Sequence, residues 1–102
     1  MPNTYREDVI LLSALASEVR MRVLALIRYD EMAVGDIADK LAISQSALSQ
    51  HLGKLRSAGL VSSRRDAQSR LYRMISPIGE RLLAILDASS CRKPTARPPW
   101  TV

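Results

Sequence analysis

Apolar positions along the chain fall into five helix-length groups and two short extended runs. From Tyr5 to Ala16, the residues Val9, Ile10, Leu11, Leu12, Leu15 and Ala16 leave little polar surface. A helix apolar nearly all round is buried on two sides, and in a chain of 102 residues the second side predicts another subunit. Ser17 caps a second helix with Val19, Val23, Leu24, Leu26 and Ile27 on its core face, running out near Tyr29-Asp30. A third helix spans Val34 to Leu41 with Ile37, Ala38 and Leu41 inward. After a tight connection at Ala42-Ile43, Ser44 caps a fourth helix carrying Leu48, Leu52 and Leu55 at spacings of four and three. Gly59 gives that helix a left-handed stop. Leu60 to Arg65 and Arg70 to Ile75 are extended runs joined by Asp66-Ala67-Gln68-Ser69, a hairpin turn without the Asn-Gly or Asp-Gly signal. Ser76-Pro77 opens a fifth helix with Pro in its first turn, and Ile78, Leu82, Leu83, Ile85 and Leu86 again cover more than one face.

The order α-α-α-α-β-β-α, with two short helices joined by a tight turn and followed by a β-hairpin, predicts a mainly α winged helix-turn-helix. Residues 1–90 form that one domain, and residues 91–102, with three prolines, three basic residues and Trp100, form a flexible basic tail. The surplus apolar surface of the first and last helices predicts a homodimer through Val9, Ile10, Leu12, Ile78, Leu82, Ile85 and Leu86.

Composition narrows the function. Hydrophobic residues make up 47% and aromatic residues 4%, with no Phe, so the core is expected to be aliphatic and base stacking on an aromatic platform is not indicated. No apolar run approaches the roughly 20 residues of a membrane span. No secretory leader is recognisable, and one Cys rules out a disulfide framework within the chain. These features place the protein in the cytoplasm. There is no carboxylate pair in a plausible cleft, no Gly-rich phosphate loop and no nucleophile–base motif, so an enzyme is not indicated.

The net charge of +5 is uneven. Residues 1–43 carry −2, residues 44–75 carry +5 and residues 76–102 carry +2. The middle segment is a local basic stripe suited to a phosphate backbone. At about 100° per residue, the fourth helix turns Ser46, Ser49, Gln50, Gly53 and Ser57 away from its leucines, with Gln45 at the entry turn and Lys54 on the flank. No acidic residue lies between Ser44 and Arg65. Gln and Ser hydrogen-bond base edges, and small residues let a helix settle deep in the major groove. The candidate contacts to double-stranded DNA are therefore Ser44, Gln45, Ser46, Ser49, Gln50, His51, Lys54 and Arg56 on the helix, with Arg64, Arg65, Arg70 and Arg73 on the hairpin. His51 lies beside the leucine row, where packing or a phosphate contact suits it better than metal. Cys91 is a free thiol or a redox-sensitive one.

The run from Leu15 to Leu24 (LASEVRMRVL) and the segment SQSALSQHLGKLRSAGLVSSRRDAQSRLYRM from Ser44 to Met74 closely resemble the ArsR/SmtB family of bacterial repressors. The SQSALSQHL core and the RRDAQ wing look most like the branch that contains a rhizobial nodulation repressor. The resemblance implies a nucleoid-associated, homodimeric repressor that occupies a two-fold symmetric operator, with symbiosis genes as one class of target. Metal-sensing members carry a Cys-Val-Cys pair where this chain reads Ala33-Val34-Gly35, or Asp and His on the last helix, where Ile78 to Ala88 holds no His. The family's metal chemistry therefore does not carry over, and no metal or cofactor is expected. Two other readings stay open: a repressor responsive to another ligand or to its thiol, and a winged-helix module that binds protein.

Overall fold

The computed structural model describes residues 4–89. Its elements are α1 (Thr4–Leu15), α2 (Glu18–Leu26), β1 (Met32–Ala33), α3 (Val34–Leu41), α4 (Gln45–Ser57), β2 (Val61–Asp66), β3 (Ser69–Met74) and α5 (Pro77–Ser89). The expected tail at 91–102, with Cys91 and Trp100, lies outside the described residues.

Local chemistry sets the boundaries. The hydroxyls of Ser17 and Ser44 accept from the backbone N–H of Arg20 and Ala47, at 3.3 and 3.1 Å, closing the first turns of α2 and α4. Ser76 accepts from the N–H of Gly79 at 3.0 Å, so α5 starts at Pro77, which has no N–H of its own to satisfy. At the end of α4, Gly59 takes φ 76° and the N–H of Leu60 reaches back to the carbonyl of Leu55 at 3.0 Å. The end of α3 repeats this six-to-one closure, from the N–H of Ile43 to the carbonyl of Ala38 at 3.1 Å. There the left-handed position is Ala42, φ 56°, a conformation that costs an L-residue with a Cβ roughly 1–2 kcal/mol. The 42–44 turn thus fixes the relation of α3 to α4 at the expense of local strain.

Three features differ from the sequence expectation. The wing is a three-stranded antiparallel sheet in the order β1-β3-β2, because Met32 and Ala33 pair with Tyr72 and Leu71. A two-residue strand carries no periodicity of its own and is defined only by its partner. Second, α2 ends at Leu26, short of Tyr29-Asp30. Arg28 instead turns to α5, where Nε and Nη2 fork onto the Glu80 carboxylate at 2.8–2.9 Å and Nη1 pairs with Asp87. Its side chain is only 11% exposed and lies 5.0 Å over the Tyr29 ring. Third, the hairpin strands extend to Asp66 and begin at Ser69, so the loop is Ala67-Gln68 alone, with Ala67 at φ 56°.

The core is aliphatic, as the absence of Phe requires. Val23, Leu24 and Ile27 of the α2 segment meet Ile37 of α3, the Leu48–Leu52–Leu55 row of α4, and Leu60. Tyr72 of β3 and Leu83 of α5 close it from the sheet side. Each such aliphatic side chain contributes about 1.5–3 kcal/mol on burial. This row fixes the rotation of α4, and its opposite face is thereby turned outward.

Candidate nucleic-acid interface

With the leucine row inward, Ser44, Gln45, Ser46, Ser49, Gln50, Lys54 and Arg56 are all exposed. Gln45 lies back over α3, its Nε2 at 3.5 Å from where a Cβ on Gly35 would stand. Gln50 and Lys54 border a groove shared with α1. The exposed side of α4 is continuous, small and free of acidic groups.

His51 is the exception among the helix candidates. It is half-buried, with Nδ1 at 3.2 Å from Nη1 of Arg20. A guanidinium only donates, so Nδ1 accepts and a neutral ring carries its proton on Nε2. The structure thus gives His51 a packing contact between α4 and α2. Arg20 itself escaped the sequence reading. It donates from Nε to the carbonyl of Ala14 at 2.5 Å and from Nη2 to that of Ser13 at 3.2 Å, tying down the end of α1. The signal was present: helical periodicity centres Arg20 on the same face as Val23, Leu24 and Ile27, and a cation there needs buried partners.

The four wing arginines separate by strand register. Arg65 lies directly opposite Arg70, whereas Arg64 lies opposite Leu71 and Arg73 opposite Ser62. Alternation along each strand puts Arg65 and Arg70 on one face and Arg64 and Arg73 on the other. The first pair forms the basic tip. Arg70 donates to the Ser63 hydroxyl at 3.1 Å, and neither arginine makes an ion pair among the described residues. Arg64 is already engaged, with Nη2 and Nε on the two carboxylate oxygens of Glu31 at 2.5 and 3.1 Å. The hydrogen bonds from Arg64 hold the Glu31 carboxyl below its ordinary value, with Arg73 adding to the effect, and Arg64 is pushed up in return. Nothing in the local sequence around Glu31 signals this pair, which spans 33 residues.

On the dimerisation side, Val9, Ile10, Leu12, Ile78 and Ile85 are exposed, with Leu12 at 55% and Ile85 at 60%, while Leu82 packs partly against the core. Leu86 is exposed on the same helix. Val9 and Ile10 border the groove between α1 and α4, whereas Leu12 does not line it. Among the described residues no group of three or more His, Cys, Asp or Glu side chains could hold a metal ion, and no helix is long and apolar enough to cross a membrane.

Comparison with known proteins accords with this geometry. A family model for a helix-turn-helix domain matches residues 15–64. The transcriptional activator HlyU of Vibrio cholerae is 39% identical over 92 residues, covering 90% of this chain and 85% of HlyU. Its solved structure superposes with a TM-score of 0.82 at 37% identity, covering 90% of this chain and all of that one. The nodulation protein NolR of Rhizobium meliloti is 51% identical over 79 residues, covering 78% of this chain and 62% of NolR. A biofilm growth-associated repressor of Agrobacterium fabrum is 40% identical over 85 residues, covering 83% and 73%. The homodimeric winged helix-turn-helix DNA-binding domain Mb0332 of Mycobacterium bovis, described as a possible ArsR-family regulator, superposes with a TM-score of 0.78 at 28% identity, covering 86% and 82%. The acid-free outer face of α4, the basic wing tip and these relatives converge: the chain belongs to the ArsR/SmtB family of winged helix-turn-helix, DNA-binding transcriptional regulators.

Proposed function

We propose that the chain is a homodimeric repressor that occupies a two-fold symmetric operator and denies promoter DNA to other proteins. The observation that carries this reading is the wing tip. Arg65 and Arg70 stand directly opposite each other with no ion pair among the described residues, an arrangement that is unfavourable in an isolated sheet. A polyanion relieves it. The same polyanion meets the exposed Ser44–Arg56 side of α4, where Gln45, Ser46, Ser49 and Gln50 reach base edges while Lys54 and Arg56 hold phosphate. Repression by occupancy needs nothing beyond these contacts.

Dimerisation is supported by the exposed apolar side chains of Leu12 on α1 and of Ile78 and Ile85 on α5, and by the homodimeric state of Mb0332. Two α4 helices related by a two-fold axis read half-sites about one DNA turn apart, roughly 34–36 Å. The test combines sedimentation with gel shifts on DNA recovered by genome-wide immunoprecipitation. Ile85 is exposed in the protomer, so Ile85→Asp folds, yet it places an unpaired charge in the dimer interface at a cost of several kcal/mol. It should sediment as a folded monomer and bind operator at least about tenfold more weakly. A wild-type monomer with full operator affinity would defeat the reading.

A further inference from the structure

Between α1 and the outward side of α4 runs a groove of about 680 Å³, within the range of small-molecule sites. One wall is apolar, formed by Val9, Ile10 and Ala14. The other is α4 itself, through Gln50, Gly53 and Lys54. At its floor lies Arg20, only 9% exposed.

Two observations point to a ligand. The first is the chemistry of Arg20. A guanidinium has five N–H donors, and three of them go to groups that carry no negative charge: the carbonyls of Ala14 and Ser13 and the ring of His51. Among the described residues no carboxylate lies within ion-pair distance of Arg20. The helix end that supplies the two carbonyls offsets part of the charge. One N–H on each terminal nitrogen has no acceptor among the described residues. The second is Gly53. Glycine in mid-helix is destabilising, and here packing does not require it, since a Cβ at this position would meet nothing within 4 Å. It leaves the α4 wall of the groove without a side chain at this position. Lys54 on the same wall adds a second positive charge.

We propose that this groove is an effector site for a small amphipathic carboxylate, its carboxylate on Arg20 and its apolar body against Val9 and Ile10. Val9 and Ile10 are thereby assigned to the groove and not to the dimer interface expected from the sequence, the dimer resting on Leu12 and α5. The site shares Gln50 and Lys54 with the surface that meets DNA, so an occupied groove competes with operator binding. This last step rests on the function proposed above; ligand binding to the free protein does not.

Decanoate is the probe, with decanol as its uncharged counterpart, and calorimetry on the full, DNA-free chain is the first readout. Decanoate should bind saturably at one site per protomer, at least about tenfold more tightly than decanol, the order of difference a charge-assisted hydrogen-bonded pair provides. Gly53→Leu adds a side chain to the groove wall from a position where a Cβ meets nothing within 4 Å and puts a good helix former in place of a poor one, and circular dichroism verifies its fold. It should weaken decanoate binding at least tenfold, whereas Arg20→Met, if folded, should remove the preference for the acid over the alcohol. In gel shifts, saturating decanoate should lower operator affinity at least about tenfold. Absence of decanoate binding to folded protein that still shifts operator DNA would overturn the inference and leave the DNA reading intact. Equal binding of acid and alcohol would overturn the role of Arg20. Cross-linking of Ile10→Cys on one protomer to Gly53→Cys on its partner would overturn it in favour of a second copy filling the groove.

Discussion

Arg65 and Arg64 are neighbours in sequence, and a count of charges gives them equal weight on DNA; the structure does not. Arg65 stands at the wing tip opposite Arg70 with no ion pair among the described residues, whereas Arg64 is held on both oxygens of Glu31. Each phosphate neutralised on B-DNA releases counterions that contribute a slope of about −0.9 to log K against log salt. Arg65→Ala removes one such contact from each of two protomers and should make the slope shallower by roughly 1.8. Between about 50 and 200 mM salt, its deficit relative to wild type should therefore shrink by roughly twelvefold. Arg64 brings its own anion, so Arg64→Ala should leave the slope close to that of the wild type. Glu31→Gln releases the Arg64 guanidinium and should steepen the slope, raising affinity for operator and random DNA together at low salt. The assay is fluorescence anisotropy on operator and scrambled duplexes across a salt series, with melting curves to verify folding. Equal flattening by Arg64→Ala and Arg65→Ala, or an unchanged slope in Glu31→Gln, would refute the distinction.

Three further outcomes follow from single residues. Gln50→Ala should lose about 1–3 kcal/mol at one A·T pair per half-site, measured against a library of single-base operator variants, and little on random DNA; a preference profile that overlays the wild type would make Gln50 a bystander. Ala42→Gly should relieve the left-handed penalty of roughly 1–2 kcal/mol while adding about 0.5–1 kcal/mol of chain entropy, for a modest net gain in denaturant midpoint; a loss would show that Ala42 is not strained. Glu80 titrates below its ordinary range, chiefly because Arg28 donates to it. Its folded pKa lies below its unfolded one, so its contribution is complete above the unfolded value of about 4.3 and is lost as pH falls through the folded value. Between about pH 5 and 3, Glu80→Gln should therefore lose less stability than wild type in melting experiments, and parallel losses would discount the pair.

The helices were legible because their signals are local. Ser17, Ser44 and Ser76 each sit one residue before a helix and supply the oxygen its first turn needs, and Gly59 takes the left-handed stop that its position predicts. The row Leu48, Leu52, Leu55 fixed not only α4 but its rotation, and hence the list of side chains facing outward. What escaped the sequence reading is non-local. β1 exists because Tyr72 and Leu71 lie 38 or more residues downstream, and Arg28, just past the end of α2 at Leu26, is held by Glu80 across 52 residues. No window of the chain contains both halves of either interaction.

The same distinction governs the site. Net charge located the basic segment, but a formal charge is not a free charge. Arg64 is neutralised by Glu31, Arg28 by Glu80 and Asp87, and His51 is turned to Arg20. Lys54, Arg56, Arg65, Arg70 and Arg73 remain outside any ion pair among the described residues, and four of these lie on α4 or on the β3 strand that β1 anchors to the body. The two-residue β1 therefore has a consequence beyond the sheet. By pairing Met32 and Ala33 with Tyr72 and Leu71, it fixes the base of the wing directly beside α3, which begins at the next residue, Val34. The wing arginines and the outward face of α4 are thereby set on one connected frame, so the function proposed above requires the wing's phosphate contacts and the helix's base contacts to share a single register.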